Sequence, residues 1–172
     1  MQNAKSFPAA ALLLAALAIG GCATSGSGSG AGAGAGLETA DSVLRSARAA
    51  NTVNLVLTPA ELRTGEQLRA DIHTDAPGYL YLYQIGTDGR SLDLVFPNAV
   101  DGANYLAGGH TSLPRPNWRM RTRGPAGVGY FIAVVADQPQ DLLAIQAATR
   151  EGRIQTQGPY AAAMAMLRET QP

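Results

Sequence analysis

The chain has 172 residues, with 13 lysines and arginines against 13 acidic residues and a formal net charge of +0. Its hydrophobic share of 46% suffices for one packed domain, and the even charge balance argues against a broadly basic nucleic-acid surface. One cysteine excludes an internal disulfide, and with only two histidines a catalytic zinc site would need both plus a carboxylate.

Lys5 is the only positive side chain of the opening stretch, and an apolar run follows from Ala9 to Ile19. A short positive region, an apolar run of this length and small residues behind it form a secretory signal. The run is too short to span a bilayer, which takes about 20 apolar residues. Ile19-Gly20-Gly21-Cys22 then resembles the bacterial lipobox. That resemblance implies that residues 1–21 are a signal peptide and that Cys22 is lipidated to become the first residue. It implies a membrane anchor of three acyl chains, where one chain alone would hold only marginally. Ala23 rather than aspartate follows the cysteine, which by resemblance to lipoprotein sorting in enteric bacteria implies the outer membrane and a domain facing the periplasm.

Residues 23–36 alternate glycine with alanine, serine or threonine, so with Cys22 they are expected to form a flexible tether, residues 22–36. Its root-mean-square span is about 20 Å, from 5–6 Å times the square root of its length. No strand signal precedes these glycines and no P-loop lysine follows, so they are not read as a nucleotide loop.

Residues 37–172 remain to fold as a single domain. Without Lys5 they carry 12 basic residues, all arginine, against 13 acids. Strong helix formers with early acidic residues predict a helix over 38–50. Strands are predicted at 53–58, 68–74, 79–85, 92–96, 118–122 and 128–136. Each is bounded by turn chemistry such as Pro59, Asp75-Ala76-Pro77-Gly78 and Gly124-Pro125. Gly86-Thr87-Asp88-Gly89 is the best hairpin signal. Leu142, Leu143, Ile145 and Gln146 sit at helical spacing within 139–151, and 160–169 reads either as a short helix or as a closing strand. Together these predict a mainly β domain, an antiparallel β-sandwich-like fold with flanking α-helices.

Several short motifs follow one another in order. Gly65-Glu66-Gln67-Leu68 precedes a strand, and Asp75-Ala76-Pro77-Gly78 turns into the aromatic strand Tyr79-Leu80-Tyr81-Leu82-Tyr83. Asp88-Gly89, Leu94-Val95-Phe96-Pro97-Asn98, Ala107-Gly108-Gly109 and Leu113-Pro114 come next. A Gly-rich approach to an apolar strand then ends near Asp137-Gln138-Pro139. In this ordering residues 64–142 resemble the domain-of-unknown-function family numbered 4384. The resemblance implies a domain found in secreted and lipid-anchored bacterial proteins. It brings no shared activity and no catalytic residue. The chain departs from the pattern at Gly108-Gly109-His110, where the family more often has a polar amide.

Candidate chemistry is sparse. Strand alternation places His73 outward with Arg69 and Asp71, opposite Leu68, Ala70 and Ile72. Ser112 and His110 are the only close Ser/His pair, without a third orienting group. Asp101-Gly102-Ala103-Asn104 lacks the alternating oxygen ligands and terminal glutamate of an EF-hand, and reads as a loop. No catalytic residue, cofactor or metal is therefore expected.

Two surfaces suggest binding. Tyr79, Tyr81 and Tyr83 share one strand face, either as an exposed aromatic ridge or packed under a helix or second sheet, which a middle strand favours. Arg119, Arg121 and Arg123 share another face, opposite Trp118, Met120 and Thr122. They form either a site for phosphate or carboxylate groups or a solvated face paired with acids across the sheet. The expected function is a non-catalytic interaction or accessory module for an envelope assembly or secretion system, with an envelope protein partner. The alternative is a binder of peptidoglycan or lipopolysaccharide; a hydrolase is the least supported reading, and nucleic acid is not an expected partner.

Overall fold

The computed structural model of the protein describes residues 31–172, with side chains from residue 36 onward. The predicted signal peptide, Cys22 and the tether up to residue 30 lie outside the described residues.

Helix α1 spans Ala31–Ser46, so the last residues assigned to the tether are helical and the helix ends earlier than the predicted 38–50. Alanines interleaved with the glycines there permit a helix, and its apolar side chains Ala40 and Val43 are buried against the domain. Ten strands and a second helix follow. They are β1 Val53–Thr58, β2 Glu61–Arg63, β3 Gln67–Thr74, β4 Gly78–Ile85, β5 Leu92–Phe96, β6 Tyr105–Leu106, β7 Gly109–Leu113, β8 Met120–Arg121, β9 Gly127–Ala136, α2 Leu142–Arg150 and β10 Tyr160–Thr170.

The strands form two sheets. One has the order β1-β3-β7, with β8 also pairing β3; the other has the order β2-β10-β9-β4-β5, with β6 pairing β4. All pairings are antiparallel except that of β10 with β2. The domain is thus a mainly β sandwich with two helices, as the strand and turn pattern predicted.

Burial follows from side-chain alternation. In β1 and β3 every second residue is buried, so Leu55, Leu57, Leu68, Ala70 and Ile72 face the second sheet and their neighbours face water. Strands β4 and β9 are apolar on both faces because each is covered twice. Leu80, Leu82, Phe131, Ala133 and Val135 enter the inter-sheet core. Tyr81, Tyr83, Ile132 and Val134 turn the other way, into a second core closed by Val43 of α1 and Ile145 of α2. The layers therefore run sheet, sheet, helices.

Local chemistry sets the connections. Asp88 Oδ1 accepts from the backbone N–H groups of Arg90 and Ser91 and from Ser91 Oγ, each at 2.9 Å, and Gly89 takes the left-handed conformation at φ 70°. The Arg90 and then the Ser91 N–H hold the Asp88 carboxyl below the usual carboxylate range. Asp75 ties the end of β3 to the start of β1, accepting from Thr52 Oγ1 at 2.7 Å and Thr52 N at 2.8 Å. Those two bonds, the hydroxyl first, lower its pKa likewise. Asp141 caps α2 by accepting from Leu143 N at 2.9 Å and Ala144 N at 3.3 Å. Ile145, Ala148 and Thr149 carry its buried face, while Leu142 and Leu143 are exposed.

Candidate ligand-binding cleft

The inter-sheet core changes character at one end of the sandwich. Along β4 the inward row runs Leu80, Leu82, Gln84, and along β10 it runs Ala163, Ala165, Leu167, Glu169. In each strand the alternation continues past the apolar core and delivers a polar side chain to the same open end. Asp93 of β5 is the register partner of Gln84. Phe131 remains at the floor, and Trp118, Met120 and Leu68 form the opposite wall. The cleft has a volume of about 340 Å³, and Arg119, Arg121 and Arg123 also line it. That volume lies at the low end of small-ligand sites, about 300–1,000 Å³.

The arginine alternation is as predicted. Arg119, Arg121 and Arg123 are exposed, Met120 and Thr122 buried, and Trp118 half-buried. Their partners are not acids. Arg119 Nη1 donates to Gln67 Oε1 at 3.1 Å and Arg121 Nη1 to the Gly65 carbonyl at 3.2 Å. Among the described residues Arg123 has no hydrogen bond or ion pair, and the three ion pairs found are Asp41–Arg45, Asp101–Arg115 and Glu151–Arg153. The predicted strand 118–122 shrinks to two residues. Prolines 114 and 116 precede it, Gly124-Pro125 follows, and only Leu68 and Gln67 of β3 pair with it.

Arg115 stands apart from the ridge. It forms an ion pair with Asp101, donates from Nη2 to the Ala103 carbonyl at 2.9 Å and lies 5.2 Å from the centre of the Phe96 ring. Asp101 Oδ2 also accepts from Trp118 Nε1 at 3.0 Å, which fixes the indole that walls the cleft. Asn98 in turn accepts from the N–H groups of Val100 and Asp101 at 3.0 Å. The loop around Asp101 is thus an organiser of the cleft wall.

Glu169 escaped sequence reasoning. It is 3% exposed, and its Oε1 is buried without a hydrogen-bond partner. Gly124 passes over it, and a Cβ there would lie 3.8 Å from Oε1. The available signal was its alternation with Leu167, which is informative only once residues 160–169 are known to be a strand.

The tyrosines do not form a binding ridge. Tyr81 and Tyr83 are buried beneath the helices, because β4 is an inner strand covered on both faces. Tyr81 Oη accepts from Gln140 N at 2.7 Å, whereas the Tyr83 hydroxyl is buried without a partner. Burial, and then neighbouring Tyr81, push the Tyr83 phenol above its ordinary range. Tyr79 is half-buried and meets the Tyr105 ring edge-on at 5.3 Å.

The first sheet brings the two histidines together. His73 and His110 are register partners with ring centroids 4.3 Å apart, so outward-facing His73 is half-buried by its neighbour. Ser112 Oγ donates to Asp71 Oδ1 at 2.5 Å rather than meeting His110. Among the described residues no three His, Cys, Asp or Glu side chains converge as metal ligands.

The fold and the cleft define a helix-covered β-sandwich with a polar, arginine-flanked opening at one end. Residues 61–139 match the family model described as Domain of unknown function (DUF4384). The matched stretch reaches from β2 to just before α2, leaving out β1 and β10 and therefore Glu169. A search among curated proteins found no match. Among solved structures, Spo0M, a sporulation control protein of Bacillus subtilis, is similar over 71% of this chain and 50% of its own, with 11% identity and a TM-score of 0.37. The chain thus spans half the length of that protein.

Proposed function

We propose that the chain is an outer-membrane-anchored periplasmic lipoprotein that acts by binding rather than catalysis, and that its cleft takes an anionic ligand of the cell envelope, a peptidoglycan or lipopolysaccharide fragment. Such a module serves as an accessory to an envelope assembly or secretion system, coupling it to the wall or to the lipid surface. One observation carries the cleft: Arg119, Arg121 and Arg123 line it together, and none has a carboxylate partner. Guanidinium forks with unused donors suit phosphate and carboxylate oxygens. The protein-partner reading rests on exposed apolar side chains such as Val100, Tyr105 and Leu143. Single exposed apolar residues are ordinary on any surface, so the cleft is favoured.

Two measurements test the reading. Cys22→Ser is expected to move the protein from the membrane fraction to the soluble periplasmic fraction; a variant that still sediments with membranes overturns the lipid anchor. For the cleft, muropeptides and lipopolysaccharide are titrated into the lipidated full chain in detergent micelles. Each charge-assisted hydrogen bond is worth about 1.5–3 kcal/mol, so the triple variant Arg119→Ala, Arg121→Ala, Arg123→Ala is expected to weaken binding at least about tenfold. Added salt should weaken it too. Unchanged affinity in the triple variant removes the site.

A further inference from the structure

We infer that the cleft binds a zwitterion: a short peptide or amino-acid derivative whose ammonium is received by Glu169 while its carboxylate is held by the arginine rim. The inference rests on the anion-binding reading above and adds the cationic half of the ligand.

Glu169 is a carboxylate at 3% exposure whose Oε1 has no hydrogen-bond partner. Burying such an oxygen unpaired is costly, and native proteins keep few of them. It lies on the core-facing row of β10, one alternation beyond Leu167, where the sandwich opens into the cleft. Three guanidiniums line the same cleft, yet none forms an ion pair with Glu169. Opposite charges in one cavity without mutual contact are complementary to a ligand that carries both signs.

The balance of the lining agrees. Arg119, Arg121 and Arg123 share the lining with two acidic residues, Asp93 and Glu169, and Gln84 and Ser91 add neutral hydrogen-bonding groups. Glu169 is the buried acid and Asp93 the exposed one, so Glu169 is the receptor for a desolvated ammonium. Trp118, Met120 and Phe131 line the same cleft and supply its apolar surface for a methylene chain. A purely anionic ligand would leave Glu169 unpaired and repelled, whereas an aminocarboxylate satisfies both ends.

The test uses three small probes on the lipidated full chain in micelles, read by isothermal titration or by chemical shifts. They are Nα-acetyl-lysine, with both charges; Nα,Nε-diacetyl-lysine, with only the carboxylate; and Nα-acetyl-lysine amide, with only the ammonium. Nα-acetyl-lysine is expected to bind at least about tenfold more tightly than either singly charged probe, each of which lacks one charge-assisted contact. Phosphoethanolamine distinguishes a lipid headgroup source: tighter binding of it than of Nα-acetyl-lysine overturns the peptide assignment. Glu169→Gln is expected to abolish the preference for Nα-acetyl-lysine over its diacetyl form, while the arginine-dependent affinity for the carboxylate persists. If the diacetyl form binds unmodified protein as well as Nα-acetyl-lysine does, and the arginine triple variant weakens both, the zwitterion inference fails and the anion reading stands. If no probe binds at millimolar concentration, the zwitterion inference fails. If muropeptide and lipopolysaccharide binding is also indifferent to the arginines, both fail.

Discussion

Phe131→Ala is expected to lower the unfolding free energy by about 3–5 kcal/mol, the usual cost of truncating a buried aromatic. Phe131 is 1% exposed and belongs to the inter-sheet core beneath the cleft, on the strand that joins β4 to β10. Alanine would remove the ring from both sheets at once, and two hydrogen-bonded sheets cannot close the gap without giving up their register. The measurement is the denaturant midpoint with the slope held under watch, since an unchanged slope assigns the shift to stability. Leu143→Ala on α2 is the control: that side chain is 77% exposed, and its truncation should cost no more than about 0.5 kcal/mol. A Phe131→Ala protein as stable as the Leu143→Ala protein would contradict the sandwich.

The second large effect belongs to Asp101, 7% exposed and shared by Arg115 and Trp118. Asp101→Ala strands a guanidinium and an indole N–H together. Breaking a buried ion pair costs about 3–5 kcal/mol. Arg115 keeps 32% of its side chain in water, so a loss of about 2–3 kcal/mol is expected after allowing for screening. Trp118 is the only tryptophan in the chain, which makes its fluorescence a direct report on the cleft wall. Emission should shift to longer wavelength in Asp101→Ala and stay close to that of the unmodified protein in Asp101→Asn, which retains an acceptor. An unshifted spectrum in the alanine variant would show that Asp101 does not position the indole.

Much of the architecture was legible from local patterns. The bounds 53–58 and 92–96 agree with β1 and β5, and 68–74, 79–85 and 128–136 each lie within one residue of a strand end. Alternation, β-branched and aromatic residues and the turn residues between them act over a few neighbours, so they can be read without the fold. The short strands β2, β6 and β7 were missed because two to five residues carry too little pattern, and Gly109-His110-Thr111-Ser112 has hardly any apolar signal. Of the two proposed surfaces, the arginine face is where its alternation put it. The tyrosine ridge is absent because burial on the second face depends on what packs there.

The sequence by itself determined the mainly β class, the hairpin at Asp88-Gly89 and the side from which Arg119, Arg121 and Arg123 project. Each follows from backbone geometry within one element. Only the tertiary structure decided residues 160–169, whose alanines, methionines and leucine favour a helix intrinsically. Pairing with β9 along ten residue positions, and with β2 on the other edge, outweighs that preference and makes them the strand β10. That choice in turn put Glu169 on the inward face beside the arginines, since period-two alternation has a direction only after the strand has partners. The cleft joins residues as far apart in sequence as Leu68 and Glu169, and no local rule could have placed them together.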